Sequence, residues 1–392
     1  MQTCIDLEQL GLDGGGQLLI SRALAGLPAG SRLTVRGRHP ALRVHLAAWC
    51  RSQGHDFQDS PDQPAVVKGT AQDSRWRGAA RAGDPFGPPD AHADKHWGLA
   101  ARGALVEPGG PPLVTDLVDR EWVWADIAPR LYAAAAAGQW DPTAAVDWIA
   151  PTAIPDDIET ATVQIMTFLV ENEQAALIIP ARLLGRLHPH FREVMQLLAV
   201  QAADEARHVE VFTRRALLHR EEMGVSGAGG RASLQTLLDE PDFTLSAFLL
   251  SVLGEGTFLD LLRFLHQYAP DPVTAQITRL VLQDEARHVA FGVAHTAHVA
   301  GADPAFLGQL RTAVERRHST LLDTAGLNQD VRDSLVILAA GSWTPDAVSH
   351  GWNAVQKLQL AMDEGRRRRL AHIGFPSDEA AELSAMHTRN FM

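Results

Sequence analysis

Two hexapeptides carry the chemistry that this sequence declares. Asp204-Glu205-Ala206-Arg207-His208-Val209 recurs, residue for residue, as Asp284-Glu285-Ala286-Arg287-His288-Val289. Each copy sits inside an apolar stretch with helical spacing. Residues three apart on a helix are neighbours on one face. Each copy therefore offers a carboxylate and an imidazole to a single point: Glu205 with His208, and Glu285 with His288. A solvated helix face laced with internal ion pairs is the plain alternative. One copy would leave that alternative open, but two identical copies in apolar helices make it the poorer reading.

A site built on two Glu-x-x-His pairs needs one further carboxylate from each of two other helices. Glu255, in FLLSVLGEGTFLDLLRFL, precedes Glu285 by nearly the interval at which Glu173, in MTFLVENEQAALIIPARLLG, precedes Glu205. A duplicated helical hairpin would give that spacing. Both glutamates lie among apolar residues, where an unpaired carboxylate is expensive. Four glutamates and two divalent cations sum to zero charge, which lets such a cluster be buried. Glu171 stands two residues from Glu173 and points to a nearly opposite face. Both faces are largely apolar, so periodicity leaves the first carboxylate open between them. Carboxylate and imidazole donors without a thiolate suit iron or manganese better than a structural zinc site.

The elements that must hold these residues are helices. Apolar spacing predicts them over about 156–184, 189–222, 243–268 and 272–300, with others near 303–325, 328–340, 345–372 and 377–387. Thr344-Pro345 and Ser377-Asp378 read as helix starts, a capping hydroxyl followed by proline or an acid. Residues 121–151 contain one helix and then a loop. Residues 1–72 read as β-α-β-α-β-β: strands at 3–7 and 32–37, helices at 16–27 and 40–54, and short strands in HDFQDS and AVVKGT. The expected fold is mostly α, with a small N-terminal α/β domain (1–72), a Pro/Gly-rich linker (73–130) and a helical domain (131–392).

Composition narrows the partners. Lys and Arg number 35 against 47 Asp and Glu, a net charge of −12. That balance argues against nucleic-acid binding and against a polybasic membrane surface. No uncharged run approaches the ~20 residues of a membrane span. Two cysteines cannot build a disulfide framework or a four-Cys zinc site. The early acids of MQTCIDLEQL do not suit a secretory signal, so a cytoplasmic location is expected. Nine Trp and thirteen Phe accompany only two Tyr.

Residues 155–300 resemble the ferritin-like di-iron carboxylate superfamily, especially its oxygen-activating members. Glu173-Gln174-Ala175-Ala176, with Arg182, resembles the first ligand helix of the bacterial multicomponent monooxygenases. Gly254-Glu255-Gly256-Thr257-Phe258 resembles their third, and the two repeated motifs their second and fourth. The resemblance implies a ferritin-like helical bundle whose metal ligands are Glu173, Glu205, His208, Glu255, Glu285 and His288. It implies that Asp204 and Asp284 accept hydrogen bonds from the ligand histidines and that Arg207 and Arg287 pair with those aspartates. The implied cofactor is two iron ions, or manganese with iron. The implied activity is that of a di-iron oxygenase or oxidase using O2 on a small organic substrate. An external reductase or ferredoxin would supply electrons, and a homodimer is one option for the assembly. Leu169, Phe212, Phe248, Phe258 and Phe291, apolar residues of the ligand helices, are the candidate pocket lining. An iron-handling or peroxide-scavenging protein without an organic substrate is the alternative.

Departures from related patterns sharpen this. Ribonucleotide reductase small subunits keep a tyrosine four residues after a ligand histidine, where this chain has Phe212 and, in the second motif, Gly292. The seventh ligand of p-aminobenzoate N-oxygenases falls on Val281. The threonine four residues after the third-helix glutamate in the monooxygenases falls on Leu259, with Thr257 nearby instead. Two cysteines cannot build the rubredoxin module of a rubrerythrin. Most of residues 5–72 resemble the TusA/SirA-like sulfur-carrier fold, but Gly14-Gly15-Gly16-Gln17 replaces its Cys-Pro-x-Pro, which excludes sulfur relay there. A docking or structural module is expected, with Cys50 a small buried residue and the Gly-rich turn an anion or partner site. His219, His266, His295 and His298 read as surface or satisfied core histidines, and Arg366–Arg369 as a solvated helix end.

Overall fold

The computed structural model describes residues 3–151, 153–322 and 329–387, and of residues 72 and 74 the backbone only. Contacts cluster into two units. Residues up to Gly87 together with His96–Pro112 form the first, and Pro88–Lys95 with the chain from Leu113 form the second.

The first unit begins β1 (Thr3–Asp6), α1 (Gly16–Ala25), β2 (Arg32–Arg36), α2 (Leu42–Gln53), β3 (Asp56–Gln58) and β4 (Ala65–Val67), the element order expected from sequence. The sheet order is β1-β2-β4-β3. β1 and β2 run parallel with Thr3 opposite Leu33, a pairing that needs a crossover, and α1 supplies it. β4 pairs antiparallel with both β2 and β3. The helices cover the sheet with Ile20, Leu24, Leu46 and Cys50 against Leu33, Val35 and Val66. Burial, and then Asp56, push the Cys50 thiol up to about 11, so it packs as an apolar residue rather than acting as a nucleophile. The Gly-rich turn does not offer the free amides expected of it. Gly14 and Gly16 donate to the Gly11 carbonyl and Gly15 to that of Leu12. A Cβ on Gly16 would lie 2.9 Å from the Gly11 oxygen, which explains the glycine. Residues 71–112 add α3 (Ala71–Arg75) and a ribbon of β5 (Ala80–Arg81) with β6 (Leu105–Val106).

The second unit is helical: α4 (Ala128–Ala137), α5 (Asp156–Leu184), α6 (Arg192–Ala216), α7 (Ala228–Leu238), α8 (Phe243–Ala247), α9 (Gly256–Gln267), α10 (Pro272–Ala302), α11 (Phe306–Leu321), α12 (Gln329–Ala340), α13 (Pro345–Ile373) and α14 (Ser377–His387). α5 packs along α6 and α9 along α10, α6 meets α10, and α4 packs on both α6 and α10. These are two helical hairpins side by side. Two helix starts, those of α10 and α13, follow capping chemistry: Asp271 accepts from the Thr274 amide ahead of Pro272, and Thr344 from the Ala347 amide ahead of Pro345. α6 ends at Ala216, six residues earlier than its periodicity suggested, where the charged run from His219 to Glu222 leaves no apolar face to bury. The last residues expected of the helix at 303–325, and the first of that at 328–340, lie outside the described residues.

α8 and α9 are joined without a break by a π-helical segment, Phe248–Glu255, all of it buried. Wider turns leave carbonyls for other partners, and here Arg369 Nε donates to the Val252 carbonyl at 2.7 Å and Thr257 Oγ1 to that of Leu253 at 2.6 Å. This corrects the solvated reading of Arg366–Arg369. Arg366 is 1% exposed and bonds Ser384 and Thr257, while Arg367 and Arg368 face solvent with Asp363 and Glu364. Residues three apart share a helix face, so a run of four arginines cannot all be solvated on a packed helix. Among the described residues one helix, Phe243–Gln267, is long and apolar enough to cross a membrane, and 83% of its most apolar stretch is buried in this unit.

Candidate metal centre

Four elements bring six ligand-type side chains together. α5 supplies Glu173, α6 supplies Glu205 and His208, the π segment supplies Glu255, and α10 supplies Glu285 and His288. None is more than 5% exposed. They form two groups, Glu173-Glu205-His208-Glu285 and Glu205-Glu255-Glu285-His288, whose ligand atoms lie within 4.8 Å of one another. Glu205 and Glu285 belong to both. Glu171, the open alternative to Glu173, is only half-buried and belongs to neither.

Each histidine turns Nδ1 to the carboxylates. His208 Nδ1 is 3.0 Å from Glu205, 3.3 Å from Glu173 and 3.3 Å from Glu285. His288 Nδ1 is 2.9 Å from Glu205 and 3.6 Å from Glu285. Ligands held at ~2.0–2.2 Å around one ion are spaced on that scale. The fit of a cation is visible in what the cluster leaves unsatisfied. Glu173 Oε1, Glu205 Oε1, Glu255 Oε2, Glu285 Oε2 and His288 Nδ1 are all buried without a hydrogen-bond partner. His288 Nδ1 and Glu205 Oε1 are close yet not aligned as a hydrogen bond, as two donors aimed at a common ion would be. Native proteins rarely bury so many orphaned polar atoms in one place.

The far nitrogens are held by aspartates, and the pairing is crossed. His208 Nε2 lies 3.2 Å from Asp284, and His288 Nε2 lies 3.2 Å from Asp204. An ionised carboxylate only accepts, so each Nε2 carries a proton, which leaves Nδ1 as the nitrogen that a cation would take. Arg207 bonds Asp204 and reaches Asp284 at 3.2 Å; Arg287 bonds Asp284 and reaches Asp204 at 3.5 Å. Gln139 donates to Asp204 at 2.9 Å and Trp140 Nε1 to Asp284 at 2.7 Å, from the loop after α4. Arg207 also stacks over Trp140, 5.0 Å from the ring centre. Two aspartates and two arginines cancel, so this cover is neutral.

The electrostatics match a site that expects cations. Burial, then the charges of Glu205 and Glu285, raise Glu173 well above the usual carboxylate range. Burial and then Glu285 do the same to Glu255. Burial also opposes the charge on Glu205, but His288 and His208 outweigh it and hold that carboxyl low. Burial opposes protonation of both histidines, yet Glu173 and Asp284 around His208, and Glu205 and Asp204 around His288, push them well above their ordinary value. Without metal, protons must stand in for cations.

A narrow slot reaches the carboxylates Glu173, Glu255 and Glu285 between walls of Leu234, Leu237, Leu250 and Phe258. Of the expected pocket residues only Phe258 lines it. Leu169, Phe212, Phe248 and Phe291 are at most 2% exposed and pack in the core instead, and α7 supplies Leu234 and Leu237 to the slot wall. Thr257 bonds the Leu253 carbonyl and Arg366 and is not among the lining residues. Sequence reasoning missed Gln139, Trp140 and Gln201. Gln201 donates to Glu255 at 3.2 Å and stands one turn before Glu205, so a buried polar stripe on α6 would have exposed it. Gln139 and Trp140 follow a helix in an irregular loop and leave no periodic trace.

No family model and no curated protein matches the chain. Among solved structures, it is similar to an R2-like ligand-binding oxidase variant with aerobically reconstituted Mn/Fe cofactor, at TM-score 0.46 and 14% identity over 60% of this chain and 92% of that one. A second variant, with anaerobically reconstituted Mn/Fe cofactor, gives 0.44 and 17% over 60% and 93%. An R2-like ligand-binding oxidase with aerobically reconstituted metal cofactor after photoconversion gives 0.44 and 14% over 67% and 90%.

Proposed function

We propose that this chain is a di-metal oxidoreductase that uses O2 to oxidise a small organic substrate. Its ions are two irons, or manganese with iron, held by Glu173, Glu205, His208, Glu255, Glu285 and His288. The observation that carries this reading is the sharing of Glu205 and Glu285 by both ligand groups. Two separate mononuclear sites would share nothing, whereas a coupled pair needs bridging carboxylates. When bound, such a pair supplies electrons to O2 and open positions at which it can react.

The chain's own residues prepare that chemistry. Asp204 and Asp284 hold the Nε2 protons and thereby aim the Nδ1 lone pairs inward. Arg207 and Arg287 neutralise the aspartates, and Gln139 with Trp140 ties the cover down from outside. The apolar slot limits water at the carboxylates and gives an apolar molecule a path to them. Phe212, fully buried on α6, replaces a radical-storing tyrosine, which favours direct oxidation of a substrate. Electrons come from an external reductase or ferredoxin. The N-terminal unit serves as a docking or structural module.

The test is O2 consumption by the ferrous-loaded chain with a chemical reductant, with and without small apolar amines, alcohols and hydrocarbons. Substrate-dependent uptake with oxidised product supports the proposal. Uptake that ends in ferric protein, with no product from any of them, favours the iron-handling alternative.

A further inference from the structure

Besides the carboxylates of the cluster, the slot contains a polar group outside the ligand set that the chain leaves unsatisfied. Asn172 is one of its lining residues and is 7% exposed. Its Nδ2 donates to the Phe168 carbonyl at 2.6 Å. A carbonyl can only accept, so that bond fixes which end of the amide is which. Oδ1 is then a fixed acceptor, and it is buried with no partner. The other side chains around the slot are apolar or are carboxylates of the cluster, which in the charged form are acceptors too. With those carboxylates charged, no side chain in the wall can donate to Asn172. Its helix does not need it there either, since an alanine or leucine would suit an apolar wall and a buried α5 better.

We propose that Asn172 is the specificity-determining residue of this slot. Its ligand is a small, mainly apolar molecule bearing one N–H or O–H group, an amine or a hydroxyl compound. The donor bonds Asn172 Oδ1, and the atoms beside it face Glu173, Glu255 and Glu285. This deepens the reading of the slot as the substrate site of a di-metal oxidase and rests on it. The slot has only about 20 Å³ of room for a water-sized molecule, so a ligand of one ring enters only if walls such as Leu234 and Leu237 move aside, and nothing larger is expected. A site built to bond an N–H or O–H rejects the analogue that lacks it, because its own polar group is then left unpaired.

The test uses the full chain loaded with zinc, which fills the ligand set without redox turnover. Phenol, aniline and toluene are nearly equal in shape and differ in the donor. Each is titrated by calorimetry, and zinc content is measured on the same sample. Phenol and aniline are expected to bind at least about tenfold more tightly than toluene. Asn172→Leu should bring the three within about twofold, with toluene no weaker than before. Leu234→Trp, which fills the slot, should weaken all three. Equal binding of the three, no binding of any, or a preference that survives Asn172→Leu overturns the proposal. So does Leu234→Trp without effect. Should Asn172→Leu not fold, the wild-type preference and Leu234→Trp decide. A chain that takes up no zinc yet prefers phenol refutes the metal centre and supports Asn172; zinc uptake without preference does the reverse.

Discussion

Asp204 and Asp284 each serve the histidine of the other motif, which makes the two metal positions separable by single substitutions. Partners of this kind that orient a ligand histidine change metal affinity by ~10–100-fold when mutated. Asp284→Asn is therefore expected to weaken the ion held by Glu173 and His208 by that factor, and to spare the ion held by Glu255 and His288. Asp204→Asn should do the converse. Stepwise metal titration of the two variants checks this, and weakening of both positions alike in each would contradict the crossed arrangement. Glu205, His208, Glu285 and His288 were readable in the sequence because Glu-x-x-His repeats at helical spacing, whereas Glu255 rested on an interval and periodicity left Glu173 open against Glu171. The crossing was not, since it depends on how α6 and α10 meet. Nor was the orphan acceptor of Asn172, which differs from its neighbours only in where its side chain points.

The elements that carry the ligands are themselves pinned by buried polar chemistry. Arg215 on α6 makes a two-pronged pair with Glu159 of α5 at 2.9 Å and bonds Asp271 at 2.7 Å and Thr274, at the start of α10. The guanidinium is wholly buried. Removing one partner from such a cluster strands the rest, so Arg215→Ala should cost ~3–5 kcal/mol by chemical denaturation of the helical unit. A loss under about 1 kcal/mol would show the cluster to be incidental. His295 on α10 gives a second test. It bonds Thr244 at 2.9 Å and donates Nδ1–H to the Trp124 carbonyl at 2.9 Å, and burial, aided by His298, pushes it down to about 4 from 6.5. Below pH 6.5 the unfolded chain takes up a proton that the folded chain refuses until about pH 4. The stabilisation is whole above pH 6.5 and falls by ~3 kcal/mol toward pH 4. His295→Gln should remove that part of the acid slope; an unchanged slope would contradict it. Helix positions were largely readable from periodicity and caps. The π segment was not, because its apolar run fits an α-helix equally well.

At the scale of the whole molecule, the acid excess of −12 divides into surface and core. Four glutamates are gathered in the helical unit, where only protons or cations can balance them. Divalent metal should therefore raise the melting midpoint of that unit and leave the N-terminal unit unchanged. Ligand at a hundred times its dissociation constant stabilises by ~2.7 kcal/mol. Calorimetry with and without manganese checks this, and equal shifts in both transitions would contradict it. The β-α-β-α-β-β order of the first unit was readable from alternation and turns. The fate of its Gly-rich turn was not, since whether an amide is free depends on the carbonyls folded against it.

The most direct test of the central claim is a metal count after anaerobic iron loading, made on the wild-type chain, Glu173→Ala and Glu205→Ala together. Two shared carboxylates predict two irons per wild-type chain, loss of one in Glu173→Ala, and loss of both in Glu205→Ala. One iron or fewer in the wild type, or the same loss in the two variants, would contradict a bridged pair.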